Sequence, residues 1–429
     1  MVIFATQQLE DSNIEGTKTD VKWVVESLEE KNRDFKLARG NSKVTKIDAF
    51  DISGGKGFVS KVYKITIHFD DKSKEPFLSV LKIPGIESIT EALDDQKVDK
   101  DETSEIIDTS TIEKLHNKEC QFYNTFTEIP DLKIVKCYGT RKWMVGEKEG
   151  ALIMDYVGST ASNIEFMHGL NIHQARNILK EIHNLQIYFF SLPSKKWENE
   201  YKVGFDMKDF EKIDVMLTNN WAQVRTFVPS QLYKHYEEDI ISLIDNFCQV
   251  LQFVCYDIAH LEGNIKSFVH ADLWCNNVMF AVDSNGNPGN EVEAIIDWQI
   301  SYIGSIAADI ARTVVIGCQP EIRRDIETTD LPKYYQNMKN EVINRGGQFE
   351  MTWEMFKLNY DYCMIDQSMQ LLLLYRFALL NYSVPEEAGD YLWDARKYAL
   401  GSRIVFAIID AVKKCRLLNP EWLLKKVKE

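Results

Sequence analysis

His270, Asp272 and Asn277 stand at the spacing H-x-D-x-x-x-x-N within Phe268-Val-His-Ala-Asp-Leu-Trp-Cys-Asn-Asn-Val-Met-Phe280. A second apolar run, Ala294-Ile-Ile-Asp-Trp298, carries Asp297 at its end. Between them, Asp283-Ser-Asn-Gly-Asn-Pro-Gly-Asn290 is dense in turn formers. The pattern reads as loop, strand, turn, strand, with carboxylates and an amide delivered to one end. Kinase-type phosphoryl transfer asks for such groups: a carboxylate beside the acceptor hydroxyl, and an Asn with a second carboxylate on metal ions. Taken alone, the same spacing also suits a turn histidine with capping Asp and Asn, so the upstream parts decide.

Those parts occur in order. Ile47 to Phe69 has period two, β-branched and aromatic residues, and glycines in its middle, which predicts a hairpin with a Gly-rich turn. Gly55, Gly57, Ser60 and Val62 follow G-x-G-x-x-G-x-V with Ser60 in the third glycine's place. Glycines there let backbone N–H groups approach phosphate oxygens without a Cβ in the way. Most Gly-rich hairpins are turns and nothing more, and the P-loop order G-x-x-x-x-G-K-[ST] is missing. Phe77 to Pro84 predicts a strand with Lys82 near its end. A lysine buried there needs an anion or carboxylate, whereas on an edge strand it faces water. Glu87 to Thr111 is acidic and reads as a surface insert. Ile112 to Phe126 has helical spacing, with Leu115, Glu119 and Phe122 on one stripe. Glu119 is thus the candidate partner for Lys82, or else a solvated helix charge.

The elements that must hold these groups follow. Residues 133–139 and 150–157 predict two antiparallel strands, the second leading out through Met154, Asp155, Tyr156 and Val157. Thereafter the pattern is helical: 172–190, 207–224, 232–262, a start at Asp309, 353–382 and 391–415. Asp20 to Glu30 is a short amphipathic helix whose expected job is packing.

Composition sets bounds. A chain of 429 residues, 45% apolar and 27% charged, predicts two domains or lobes and an ample core. A net charge of -15 repels phosphate backbones, which disfavours nucleic acid and anionic membranes as partners. Eight scattered cysteines without a C-x-x-C pair predict reduced thiols in a cytoplasmic protein. The first residues lack a basic segment and a long apolar run, so no signal peptide is expected. Leu371 to Leu380 is apolar but interrupted by Arg376, so no membrane span is expected either.

The order of parts resembles the kinase fold. His270-Ala-Asp-Leu-Trp-Cys-Asn-Asn277 with Ile296-Asp-Trp-Gln299 is similar to the ecdysteroid-kinase-like, or CHK kinase-like, family. That family is related to choline kinases and aminoglycoside phosphotransferases. Glu119-Cys-Gln-Phe-Tyr123 and Leu81-Lys-Ile-Pro84 are similar to it too, and the resemblance spans about residues 45 to 415. It implies an α+β, protein-kinase-like bilobal fold: an N-lobe with a small antiparallel sheet and one main helix, then a larger, mainly helical C-lobe. The boundaries expected are 1–44 for an N-terminal helical extension, 45–155 for the N-lobe and 156–429 for the C-lobe.

The resemblance also implies roles. Asp272 accepts or orients the proton of the attacking hydroxyl. Asn277 and Asp297 hold Mg²⁺ against the phosphates of ATP. Lys82 holds the α- and β-phosphates and Glu119 holds Lys82. The turn with Gly55, Gly57 and Ser60 covers the phosphates, and Met154, Asp155, Tyr156 and Val157 contact adenine through the backbone. His270 braces the loop, and Asp309 does so by capping a helix.

Departures from protein kinases matter. Asp-Trp-Gln stands where they carry Asp-Phe-Gly, no Ala-Pro-Glu follows, and Asp309 comes soon after Asp297. This leaves little room for an activation loop and points to a small-molecule acceptor. The expectation is an ATP-dependent kinase acting on the hydroxyl of a sterol-, glycoside- or xenobiotic-like compound. The alternatives are a choline or ethanolamine kinase, and a catalytically silent binding protein on the same fold. The acceptor and the oligomeric state have no signal in the sequence.

Overall fold

The computed structural model describes residues 12–53, 60–85, 109–126, 129–193, 197–204, 207–210, 213–380 and 389–426. The chain divides into two compact units: Met1–Glu128 with Ile134–Ser159, and Ile129–Lys133 with Thr160–Glu429. The architecture is α+β, with a five-stranded antiparallel sheet and helices in the first unit and a larger, mainly helical second unit.

In the first unit, strands β1 (Val44–Asp51), β2 (Ser60–Phe69), β3 (Phe77–Pro84), β4 (Cys137–Arg141) and β5 (Ala151–Asp155) form one sheet in the order β1-β2-β3-β5-β4. The period-two pattern of β2 turns Ile65, Ile67 and Phe69 to the core. Helices α1 (Val21–Lys31) and α2 (Arg33–Arg39) precede the sheet. Asp20 starts α1 by accepting from the Trp23 N–H at 2.8 Å. Val24, Leu28 and Phe35 then share one core with Ile65, Ile67, Leu81 and Ile153. Each such fully buried side chain contributes roughly 1.5–3 kcal/mol. The two helices therefore cover a face of the sheet. Helix α3 (Thr109–Thr125) comes between β3 and β4.

The second unit opens with β6 (Ala161–Asn163) and α4 (Ile172–Ser191). Asn171 and Gln174 cap α4 reciprocally. After α5 (Ile213–Val224) and α6 (Glu237–Asp245) come β7 (Lys266–Val269), β8 (Val278–Val282), β9 (Pro288–Ile295) and β10 (Tyr302–Ser305). They pair as β6-β8-β9 and β10-β7, all antiparallel. The β8–β9 turn is tied by Asp283, whose carboxylate accepts from the N–H groups of Asn285 and Asn287. Helices α7 (Ala308–Ala311), α8 (Leu331–Asn344), α9 (Trp353–Leu380) and α10 (Asp390–Leu418) complete the unit. No described helix is long and apolar enough to cross a membrane.

Several element boundaries differ from expectation for identifiable reasons. Residues 133–136 are not strand, because Lys133 is bonded elsewhere. Its N–H donates to Glu181 at 3.1 Å and its carbonyl accepts from the Ile295 N–H at 2.6 Å. The helix expected over 232–262 is broken after Asp245, where the Asn246 side chain donates to the carbonyls of Ser242, Trp422 and Leu424. A short helix, Phe247–Gln252, a π-turn, Phe253–Asp257, and a 3-10 turn, Ile258–His260, follow. The stretch 207–224 is a 3-10 turn, Met207–Phe210, and then α5.

Candidate active site

Among the described residues of the first unit, Lys82 and Glu119 form a buried ion pair. Lys82 lies in β3 opposite Val62 of β2 and Leu152 of β5, so its stem is walled by strands on both sides. Its Nζ is 2.7 Å from Glu119 Oε2, with the lysine 8% exposed and the glutamate 0%. Glu119 comes from the inner face of α3, beside the buried Leu115 and Phe122. A lysine is stable at that depth because a carboxylate meets it. His116, one turn earlier on α3, adds no charge: burial pulls its pKa down to about 4, and its Nε2 sits 2.9 Å from the Arg141 carbonyl.

The remaining positions expected for nucleotide binding are less uniform. Ser60 opens β2 and is buried. Gly55 and Gly57 lie outside the described residues. On β5 the Met154 carbonyl accepts from the Ser79 hydroxyl at 2.7 Å, and the Asp155 N–H donates to the Lys136 carbonyl at 3.0 Å. The Asp155 carboxylate accepts from the Tyr138 hydroxyl, and burial pushes the pKa of both groups up. Tyr156 lies under Lys64 Nζ at 5.1 Å, and Val157 follows it out of the strand.

The second unit gathers His270, Asp272, Asn277, Asp297 and Asp309 around two loops. The first loop leaves β7 and the second leaves β9. His270 is fully buried. Its Nε2–H donates to the Ile296 carbonyl at 3.0 Å, and its Nδ1 accepts from the Asp272 N–H at 3.2 Å. Those partners set the tautomer and leave the ring no free nitrogen for chemistry. The Trp298 ring packs on it at 4.4 Å.

Asp309 acts on the loop itself rather than on a helix end, which corrects the expectation of a cap. Its carboxylate accepts from the His270 N–H and the Ala271 N–H, both at 2.8 Å, while α7 starts without a side-chain cap. A carboxylate that accepts from two N–H groups of successive residues makes two charge-assisted hydrogen bonds. Burial pushes the Asp309 carboxyl up, and the two N–H groups pull it back. This clamp holds Ala271 at φ 70°, and Asp297 in the second loop sits at φ 69°. Left-handed backbone at non-glycine residues is strained, and such strain concentrates where side chains must be aimed.

Asp272 is held through both oxygens. Oδ1 accepts from Arg312 Nη2 at 2.6 Å and Oδ2 from Asn277 Nδ2 at 2.8 Å. The same Asn277 Nδ2 reaches the Asp272 carbonyl at 2.9 Å, so Oδ1 of Asn277 points away from Asp272. The Asn277 carbonyl accepts from the Ile296 N–H at 3.0 Å, which sets Asp297 next to Asn277 in the fold. Asp297 Oδ2 also takes a long contact of 3.4 Å from Gln299.

The donor set suits a hard cation. Asn277 Oδ1 and the Asp297 carboxylate are hard oxygen donors that could hold such a cation, and Mg²⁺ commonly takes one or two carboxylates and completes its shell with phosphate and water. Among the described residues no group of three or more His, Cys, Asp or Glu forms a closed cage, which such a half-open site does not need. Arg312 is the site residue that sequence reasoning missed. Its signal was a lone cation in Asp309-Ile-Ala-Arg-Thr-Val-Val-Ile316, which is otherwise uncharged after Asp309.

A Caenorhabditis elegans protein named "Uncharacterized oxidoreductase dhs-27" is 24% identical over 375 residues, which are 83% of this chain and 44% of that protein. The chain thus spans less than half the length of that relative. A second C. elegans protein, "Uncharacterized kinase-like protein D1044.1", is 23% identical over 326 residues, 72% of this chain and 79% of its own. Among solved structures, a Plasmodium vivax ethanolamine kinase is 14% identical with a TM-score of 0.39, covering 95% of this chain and 91% of its own. The ADP-bound aminoglycoside phosphotransferase APH(2'')-Ib is 12% identical with a TM-score of 0.38, covering 88% and 99%. Residues 18–393 match the family described as "Uncharacterized oxidoreductase dhs-27" (DUF1679), and the chain belongs to that family.

Proposed function

We propose that this chain is an ATP-dependent phosphotransferase that moves the γ-phosphate to the hydroxyl of a small molecule. The observation that carries the reading is the Asp272 carboxylate, fixed through both oxygens beside Asn277 and Asp297. The buried Lys82–Glu119 pair supports it, because a strand lysine at that depth is otherwise a cost. Similarity to a kinase-like relative supports it as well. The finer kinship, to ecdysteroid-kinase-like proteins, rests on the His270 to Asn277 and Ile296 to Gln299 motifs.

In this reading the acceptor oxygen bonds to the γ-phosphorus as the bond to the β–γ bridging oxygen breaks. ADP departs with that electron pair. Asp272 takes the acceptor's proton and passes it to solvent. Its carboxylate can do so while holding Arg312 and Asn277, since an ionised carboxylate has about four lone-pair sites. Asn277 and Asp297 would hold Mg²⁺, which supplies charge neutralisation at the phosphate oxygens. Lys82 holds the α- and β-phosphates and Glu119 fixes Lys82. Met154 to Val157 present backbone to the base, and the Gly55 to Ser60 turn covers the phosphates. His270 and Asp309 shape the loop. Cysteines held as thiols, six of them buried, fit a reducing compartment, and we assign the protein to the cytoplasm.

The word oxidoreductase stands in the description of the family and in the name of a relative of which this chain spans 44%. A doubly wound dinucleotide fold is built on mostly parallel strands, whereas among the described residues each of the three sheets is antiparallel. Thermal unfolding with Mg·ATP and, separately, with NADH and NADPH discriminates the two. Mg·ATP at about 100 times its Kd adds roughly 2.7 kcal/mol, and Asp297→Ala loses that gain. Stabilisation by a dinucleotide and none by Mg·ATP would sink the reading. A screen with labelled ATP against sterols, glycosides and amino-alcohols then identifies the acceptor class.

A further inference from the structure

The Asp272 carboxylate carries a cation that the scheme above leaves unexplained. Arg312 opens a π-helical turn, Arg312–Ile316, directly after α7. Such widened turns reposition a side chain that a regular helix would misdirect, and they are frequent at functional sites. The Arg312 side chain is 6% exposed. One terminal nitrogen, Nη2, donates to Asp272 Oδ1 at 2.6 Å. The other, Nη1, donates to Gln370 Oε1 at 2.7 Å and Gln367 Oε1 at 3.1 Å.

Those two amides lead on to a second carboxylate. Gln367 Nε2 and Gln370 Nε2 donate to Asp366 Oδ2 at 2.7 and 2.8 Å. The amide orientations follow from chemistry, since a reversed amide would set its NH₂ against the guanidinium. Asp366 is 1% exposed, in the middle of the apolar helix α9. A buried carboxylate there is costly unless it serves its neighbours. Arg312 Nε has no partner, so the guanidinium is oriented only through its two ends. Trp274 covers it, with the ring centroid 6.0 Å from Cζ.

We propose that Arg312 is the positioning residue of Asp272, and that Asp366, acting through Gln367 and Gln370, fixes Arg312 in the orientation that aims Asp272 at the acceptor hydroxyl. This rests on the phosphotransferase reading but does not follow from it. The two glutamines form the fork that stops the guanidinium from swinging, and with it the carboxylate. Asp272 then reaches the hydroxyl pre-aimed, where a displacement of about 1 Å costs on the order of 100-fold in rate.

The probe is Mg·ATP with water as acceptor, so that no substrate need be known. Arg312→Lys keeps the charge but loses the fork. Gln367→Leu/Gln370→Leu keeps Arg312 but frees it. Both lower kcat for ATP hydrolysis on the order of 100-fold and leave the KM for Mg·ATP unchanged. Asp366→Leu does the same to a smaller degree, and Asp366→Asn recovers part of the loss. A merely structural network would lower the unfolding midpoint and leave kcat per folded molecule alone.

A second readout does not use turnover. In a double-mutant cycle on urea unfolding, Arg312→Met and Asp272→Asn together lose less stability than the sum of the single losses. Wild-type turnover with unchanged kcat in Arg312→Lys and in the double glutamine variant overturns the inference and spares the phosphotransferase reading. A wild-type chain that neither binds nor hydrolyses Mg·ATP overturns both.

Discussion

Lys82 Nζ lies 2.7 Å from Glu119 Oε2, and both side chains are withdrawn from water. The pair joins the central strand β3 to the helix α3 and leaves the lysine with a fixed direction. Breaking one side should cost more than removing both. Lys82→Met strands a buried carboxylate and is expected to lose roughly 3–5 kcal/mol of stability. Lys82→Met with Glu119→Leu should recover most of it, since two apolar groups of similar volume replace a buried pair at little cost. Urea denaturation of the three proteins checks this, and a double variant as unstable as the single one contradicts it.

Asp272→Asn tests the reaction rather than the fold. Asparagine can still accept from Arg312 through its oxygen, while its NH₂ then faces the Asn277 NH₂, so some stability is lost but the side chain's shape and volume are kept. It cannot take the acceptor's proton. ATP turnover should fall by about 100- to 10,000-fold while Mg·ATP still raises the unfolding midpoint. Unchanged turnover, measured by phosphate release, rules out this role for Asp272.

The loop between His270 and Asp272 stores strain that can be released. Ala271 sits at φ 70°, where a residue with a Cβ is disfavoured by roughly 1–2 kcal/mol. Ala271→Gly should therefore stabilise by a few tenths to about 1 kcal/mol. Asp309→Asn should destabilise by roughly 1–3 kcal/mol, because one of two N–H groups then faces an NH₂ instead of an oxygen. Thermal unfolding reads both signs. Stabilisation by Asp309→Asn would mean that the clamp is not what holds the loop.

Much of this arrangement was legible in the sequence because its signals are local. A period-two run with one lysine gives β3, and a helical stripe with one glutamate gives α3. The H-x-D-x-x-x-x-N spacing lies between two apolar strands, β7 and β8, so the loop is short and its direction is set. What stayed hidden depends on contacts far along the chain. Arg312 meets Asp272 across 40 positions and through a π-turn that no periodicity announces. Lys133 leaves the expected strand because Glu181 and Ile295 bind its backbone. Asp366, Gln367 and Gln370 read as polar interruptions of an apolar helix, and only Arg312 gives them a purpose.

Asp366 also makes the stability of the second unit depend on pH in an unusual direction. Burial pushes its carboxyl from an ordinary 3.8 up to about 6, against the hydrogen bonds of Gln370 and Gln367 and the charge of Arg312. Cys255, Cys363 and Tyr302 are the other titratable groups that feel its charge, and burial keeps all three neutral in this range. Between pH about 4 and 6 the folded chain binds a proton at Asp366 that the unfolded chain has released. Folding is therefore favoured as pH falls through this window, and the charged form costs roughly 3 kcal/mol above it. Asp366→Asn removes that cost while keeping an acceptor for the two amides. It should be more stable than the wild type at pH 7.5, with the advantage shrinking to nothing near pH 4. Urea midpoints of both proteins across that range decide the matter, and a difference that grows as pH falls would show Asp366 to be held charged instead.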